Sequence, residues 1–175
     1  MSKVALSNDG LNFQSKPAII GLPYIRVFQH QEQFYSFAMP GFFYRSKDGL
    51  SGFEVRNRWL FDTNVRHAAL WKKGKDLYIF YSRVGDAPEQ ILYTKVDISS
   101  TDWNDWQAER EQALLKPELD WEGANEKIEP SMRGEMGVKV NQLRDPAIFE
   151  EAGQLYLLYT GAGEQAIGIA KLEVT

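Results

Sequence analysis

The chain has 175 residues, 43% of them hydrophobic and 13% aromatic, enough for one domain with a real core. With 20 basic against 24 acidic residues, a net charge of −4 and no run of Lys and Arg, it is a poor match to nucleic acid. The lack of cysteine excludes disulfides, thiolate metal sites and a cysteine nucleophile, and no apolar run approaches the roughly 20 residues of a membrane helix.

Met1-Ser2-Lys3 opens no apolar segment of the kind a secretory signal needs, and the compartment stays open. The first signal in chain order is a turn, Ser7-Asn8-Asp9-Gly10-Leu11-Asn12-Phe13, which is written again as Ser46-Lys47-Asp48-Gly49-Leu50-Ser51-Gly52-Phe53. Short runs rich in Val, Ile, Phe and Tyr, bounded by Gly, Asp, Asn and Pro, then predict strands near Tyr24–Gln29, Gln33–Met39, Phe42–Arg45 and Phe53–Leu60. His30, in the hairpin between the first two, is expected to be solvated. The next group predicts strands near His67–Lys72, Asp76–Ser82 and Gln90–Val96, with a fourth around Trp106–Leu115. Strands near Pro146–Glu150, Gln154–Thr160 and Ala166–Glu173 complete the series.

One phrase opens each of these three groups: Pro23-Tyr24-Ile25-Arg26, Arg66-His67-Ala68-Ala69 and Arg144-Asp145-Pro146-Ala147. Repetition of this kind marks stacked supersecondary units. Four antiparallel strands per unit, radially repeated, predict an all-β chain forming a β-propeller. Tyr35 to Tyr78 is 43 positions (78 − 35), but Tyr78 to Tyr156 is 78 (156 − 78), so about 35 extra residues separate the second and third units. The single domain, 1–175, is thus read as the outer strands of an incomplete blade (1–20), a blade (21–62), a blade (63–115), a long inter-blade loop (116–143) and a last blade (144–175). About three blades and a partial one are too few for a closed ring of 4 to 8. The chain is therefore expected to be part of a longer propeller, or to associate through its open blade edges as a homo-oligomer.

With these phrases located, the chain resembles the five-bladed β-propeller glycoside hydrolases of the family 43, 32, 68 and 117 group, and an uncharacterised glycosidase-like subgroup of them most closely. The resemblance rests on Lys139-Val140-Asn141-Gln142-Leu143-Arg144-Asp145-Pro146-Ala147-Ile148-Phe149, Pro40-Gly41-Phe42-Phe43-Tyr44-Arg45, Val65-Arg66-His67-Ala68-Ala69-Leu70, Val84-Gly85-Asp86-Ala87-Pro88-Glu89 and Asp120-Trp121-Glu122-Gly123-Ala124. It covers the whole chain and implies only the C-terminal part of such a propeller. It also implies an axial funnel that binds or hydrolyses oligosaccharide.

In a propeller the first residues of each innermost strand face that funnel. Tyr24, His67 and Asp145 occupy this place, with Arg66 and Arg144 just before two of them. Arg144-Asp145-Pro146 looks like the Arg-Asp-Pro motif of families 32 and 68, whose Asp is linked to transition-state stabilisation, although there the motif lies mid-chain. In family 117 a histidine is proposed as general acid, a role His67 invites. Glu164, Asp86 and Glu89 stand in the hairpin loops of two blades as further acids or hydroxyl binders, and Trp121-Glu122 in the long loop as a stacking platform beside an acid. Asp145, Glu164 and His67 are the catalytic candidates; Tyr24, Arg66, Arg144, Asp86, Glu89, Trp121 and Glu122 are the substrate-binding ones. The competing reading of Arg144-Asp145 is a structural pair at the blade junction. No phosphate loop, zinc motif, serine elbow or calcium loop is present, and no cofactor is expected, with an axial cation such as calcium unsupported by a ligand cluster. Hydrolysis calls for two carboxylates roughly 5 to 10 Å apart at the axis. A propeller that binds sugar without cleaving it, or an inactive fragment, calls for none.

Overall fold

The computed structural model describes residues 1–173; Val174 and Thr175, which end the last predicted unit, lie outside the described residues. Strands β1 (Ser2–Leu6) and β2 (Gln14–Gly21) form an antiparallel hairpin of their own. Strands β3 (Arg26–His30), β4 (Gln33–Ala38), β5 (Phe42–Ser46) and the short β6 (Glu54–Val55) follow as a four-stranded meander. In the next sheet β7 (Val65–Lys73), β8 (Asp76–Arg83) and β9 (Ile91–Asp97) lie in order, and both β10 (Gln107–Ala108) and β11 (Gln112–Leu115) pair with β9. The last sheet is β12 (Arg144–Glu151), β13 (Gln154–Gly161) and β14 (Ala166–Leu172). All named pairings are antiparallel, and β3, β7 and β12 lie side by side as the innermost strands. Among the described residues the sheets do not close into a ring. Among the described residues no helix is long and apolar enough to cross a membrane.

Local chemistry explains these elements. β13 alternates strictly between buried and half-exposed positions, the period of a pleated strand. The β3–β4 and β12–β13 hairpins turn on Gln31-Glu32 and Ala152-Gly153, all four at positive φ, as two-residue turns that follow strand twist require. The repeated Ser-x-Asp-Gly turn also folds the same way twice. Asp9 Oδ1 accepts from the amides of Leu11 and Asn12 at 2.9 and 2.8 Å, and Asp48 Oδ1 accepts from those of Leu50 and Ser51 at 2.8 Å each. The Ser51 hydroxyl on Asp48 and, at Asp9, the Asn12 backbone amide are the largest causes, and with the remaining bonds they hold both carboxyls well below the usual range despite desolvation.

Two predicted strands are shorter than expected. The run at 53–60 stops at Val55: the Arg56 amide still donates to the carbonyl of Phe43 at 2.8 Å, while its buried side chain bonds the carbonyls of Trp103, Asn104 and Trp106 at 2.9 to 3.1 Å and anchors the chain beyond to the next sheet. The run at 106–115 breaks between β10 and β11, where Glu111 turns to accept from Tyr81 and Arg83. His30 is not merely solvated: its Nε2 donates to the carbonyl of Ile98 at 2.7 Å, and its ring meets Trp106 edge-on at 6.2 Å. The main core lies between the first two sheets, around Tyr35, Phe37, Phe43, Tyr81, Trp103 and Trp106. A smaller one (Ile91, Leu143, Leu157, Tyr159) joins the second sheet to the third.

Candidate functional site

The three innermost strands open with the same irregularity. On β7 the pairing passes from Val65 opposite Arg83 to Ala68 opposite Tyr81, and on β12 from Arg144 opposite Thr160 to Ala147 opposite Leu158, one extra residue on each inner strand. Before β3 the Met39 amide donates to the carbonyl of Pro23, and regular pairing resumes at Arg26 opposite Phe37, again one residue in excess. Such a bulge re-aims a side chain out of the alternating pattern. Tyr24, His67 and Asp145 lie in the three bulges, Tyr24 at φ 59° and Asp145 at φ 49°. Non-glycine residues hold such a backbone only where the surroundings impose it.

The bulges turn these side chains into one cavity of about 440 Å³. Met39 from the β4–β5 turn and Glu164 from the β13–β14 turn close it from the sides, and Arg133, Gly134 and Glu135 of the long connection between β11 and β12 form a further wall. His67 Nδ1 is in hydrogen-bond contact with Asp145 Oδ1, and the Thr160 hydroxyl donates to Asp145 Oδ2 at 3.3 Å. The Tyr24 ring lies against the imidazole, centroids 3.7 Å apart. Burial opposes ionisation of Asp145, but the His67 contact, the Arg66 charge and Thr160 outweigh it and hold the carboxyl below its ordinary value.

Beneath the cavity lies a buried charge network. Glu89 is fully buried, with Oε1 3.5 Å from Arg66 Nε and accepting from Ser82 Oγ at 2.6 Å, and with Oε2 3.2 Å from Arg144 Nε. The last approach is oblique, an ionic contact without hydrogen-bond alignment. Burial pushes the Glu89 carboxyl above its usual range in spite of Ser82 and the two guanidiniums. The arginines spend their other N–H groups on the wall. Arg66 donates to the carbonyls of Met132 and Gly134, and Arg144 to Gly134 O, the Gln142 side chain and Glu164 Oε1.

The structure therefore brings Tyr24, Arg66, His67, Asp145 and Glu164 together at the cavity, with Arg144 and Glu89 buried below them, Glu89 as the anchor of both arginines instead of a hydroxyl binder. Asp86 turns away from the cavity to pair with Arg83 at 3.3 Å. Trp121 and Glu122 are not brought to the cavity either. The indole stacks on Tyr159 at 6.0 Å, and the buried Glu122 accepts from Tyr159 Oη at 2.7 Å and from the amides of Glu118 and Leu119. A carboxylate so fully bonded fastens the connection to the last sheet and is closed to a ligand. Arg133 and Glu135 were missed because they lie in the one segment that has no counterpart in the other units. Among the described residues no group of three or more acidic or histidine side chains is placed to hold a metal ion.

No protein-family model matches the chain. It is 39% identical over 188 residues to the uncharacterised protein R118 of Acanthamoeba polyphaga mimivirus, covering 98% of this chain and 52% of that one. The chain spans about half the length of this curated relative. Among solved structures, a thermostable family-43 glycoside hydrolase superposes on 98% of this chain and 61% of its own, with a TM-score of 0.68 and 18% identity. The α-L-arabinanase of Cellvibrio cellulosa, solved with arabinohexaose, superposes on 85% of this chain and 47% of its own, with a TM-score of 0.50 and 18% identity. The fold is a β-propeller. At these identities the likeness establishes the fold alone.

Proposed function

We propose that the cavity is the axial site of a glycoside hydrolase-like propeller and binds oligosaccharide, with cleavage of a glycosidic bond as its reaction. The observation that carries this reading is the convergence of three carboxylates, Glu135, Asp145 and Glu164, with the Tyr24 ring and the His67 imidazole in a single cavity at the starts of the inner strands. Acids in such a set protonate the leaving oxygen and activate water or attack the sugar carbon. His67 donates its Nδ1–H to Asp145, which leaves Nε2 as the ring nitrogen able to exchange a proton with a ligand oxygen. Glu164, oriented by Arg144, is the candidate base or nucleophile, and the Tyr24 ring is a face on which a sugar can stack. Both buried arginines are committed to Glu89 and to backbone carbonyls, and Arg144 also to Gln142 and Glu164, which favours a neutral, hydroxyl-rich ligand over an anionic one.

A second reading, binding without cleavage, draws on the pairing of Asp145 with His67 and of Glu164 with Arg144, since carboxylates engaged in this way also serve to fix the blades. Incubation with aryl glycosides and with plant and algal oligosaccharides separates the two. Turnover by the parent that falls by about 10²-fold or more in Asp145→Asn is expected of the hydrolytic reading. Equal turnover by both would remove Asp145 from the mechanism, and binding without turnover would leave the second reading.

A further inference from the structure

We infer that Trp59 is a stacking platform for a sugar unit outside the axial cavity, so that the ligand is a carbohydrate chain and not a single sugar; this rests on the carbohydrate reading above. Each blade runs antiparallel from its innermost strand, so the end where β3 and β7 begin is also the end where β6 finishes and where β4 turns into β5. The connection from Arg56 to Asn64 therefore crosses the same face as the cavity mouth. Trp59, in its middle, is 63% exposed.

The connection is nevertheless held firmly on both sides of this residue. Arg56 donates to the carbonyls of Arg58, Trp103, Asn104 and Trp106 at 2.5 to 3.1 Å. Phe61 is locked among Phe37 and Tyr81, with ring centroids 5.1 and 5.6 Å away. The carbonyl of Thr63 accepts from Arg133, itself a wall residue of the cavity, at 2.6 Å. The indole meets the Phe42 ring nearly at right angles, centroids 5.0 Å apart and planes at 81°, and most of its surface stays open to solvent. Phe42 follows the turn that begins at Met39, another wall residue. A rigidly presented indole, braced by a second ring and tied to the cavity wall by two routes, offers the flat apolar face that the C–H face of a sugar ring covers. Single exposed apolar residues are ordinary on protein surfaces; the bracing and the position on the cavity face set this one apart.

The test is native electrophoresis of the chain in gels containing soluble arabinan, xylan, mixed-linkage glucan or galactan, with calorimetric titration of the disaccharide matching whichever polymer retards the parent. The expected result is an apparent affinity for that polymer about five-fold weaker in Trp59→Ala, the size of one aromatic contact, largely regained in Trp59→Phe, with disaccharide affinity unchanged in both. Retardation of Trp59→Ala equal to the parent would overturn the platform and leave the cavity reading standing. Equal losses for polymer and disaccharide would overturn a platform separate from the cavity. A parent retarded by none of the polymers would overturn the carbohydrate reading, and the platform with it.

Discussion

Glu89 shows how much one side chain can decide. Two guanidiniums meet its carboxylate in a place closed to water, and each would be left a buried, half-paired charge without it. Removing one partner of such a set is costly even where the intact set contributes little net stability. Glu89→Ala is expected to lower the unfolding free energy by about 3–5 kcal/mol, read from urea denaturation; a change within error would show that the arginines find other partners. Asp145 makes a pH-dependent contribution of the opposite kind. Its carboxyl is depressed in the folded chain below the ordinary 3.8, so the unfolded chain takes up the proton first as the pH falls. The stabilisation by His67 is therefore complete well above 3.8 and is lost as the pH drops through the lower folded value. Parent and Asp145→Asn should differ in stability near neutrality and converge below that value. A gap that stays constant with pH would rule out ionisation of Asp145 as its source. Asparagine also tolerates positive φ, so the comparison leaves the bulge in place.

Among the elements, the connection from β11 to β12 is the one that makes a site out of three sheets. It lays carbonyls on Arg66 and Arg144 and contributes Arg133 and Glu135 to the cavity, and it is clamped to the last sheet by Trp121 and Glu122. That clamp needs a bare backbone beneath the indole. A Cβ at Gly168 would lie 2.6 Å from the Trp121 ring and 2.5 Å from that of Tyr159. Gly168→Ala should displace Trp121 and destabilise the chain by about 1–3 kcal/mol, the usual cost of overpacking. Loss of near-ultraviolet circular dichroism with retained β signal would report it; an unchanged aromatic spectrum would mean that the indole is not packed there.

For the molecule as a whole, the open face of the last blade matters most. Phe149, Tyr156, Leu158, Ile167 and Ile169 share one side of this sheet, as their cross-strand pairing shows, and Ile167 and Ile169 are 78% and 65% exposed. Beside them β14 presents an edge with no partner strand among the described residues. An apolar face next to an open edge favours association. Sedimentation of this chain is expected to show a mass that rises with concentration, and Ile169→Lys to suppress the rise. A monomer at all concentrations would show that the face tolerates water.

The repeated phrases and turns of this chain were readable in sequence because they are short-range devices. Alternation along β13, the paired positive-φ residues of the hairpins and the Ser-x-Asp-Gly turns each depend on a few neighbouring residues. So did the alignment of Tyr24, His67 and Asp145, since equivalent strand starts in repeated units meet at one axis. What sequence could not settle is which polar groups face the cavity and which are sealed beneath it. Glu89 and Glu164 both sit in turns after the second strand of a blade, yet one is buried between two arginines and the other lines the opening. In sequence Glu122 reads as a ligand group, yet the hydroxyl of Tyr159, 37 positions away, claims it. Local pattern alone determined most of the strands, the repeat and the three residues at its head, but not where the strands at 53–60 and 106–115 end. Only the tertiary structure decided the fate of each charge, because burial and pairing are set by segments far apart in the chain, above all by a connection that repeats nothing else in it.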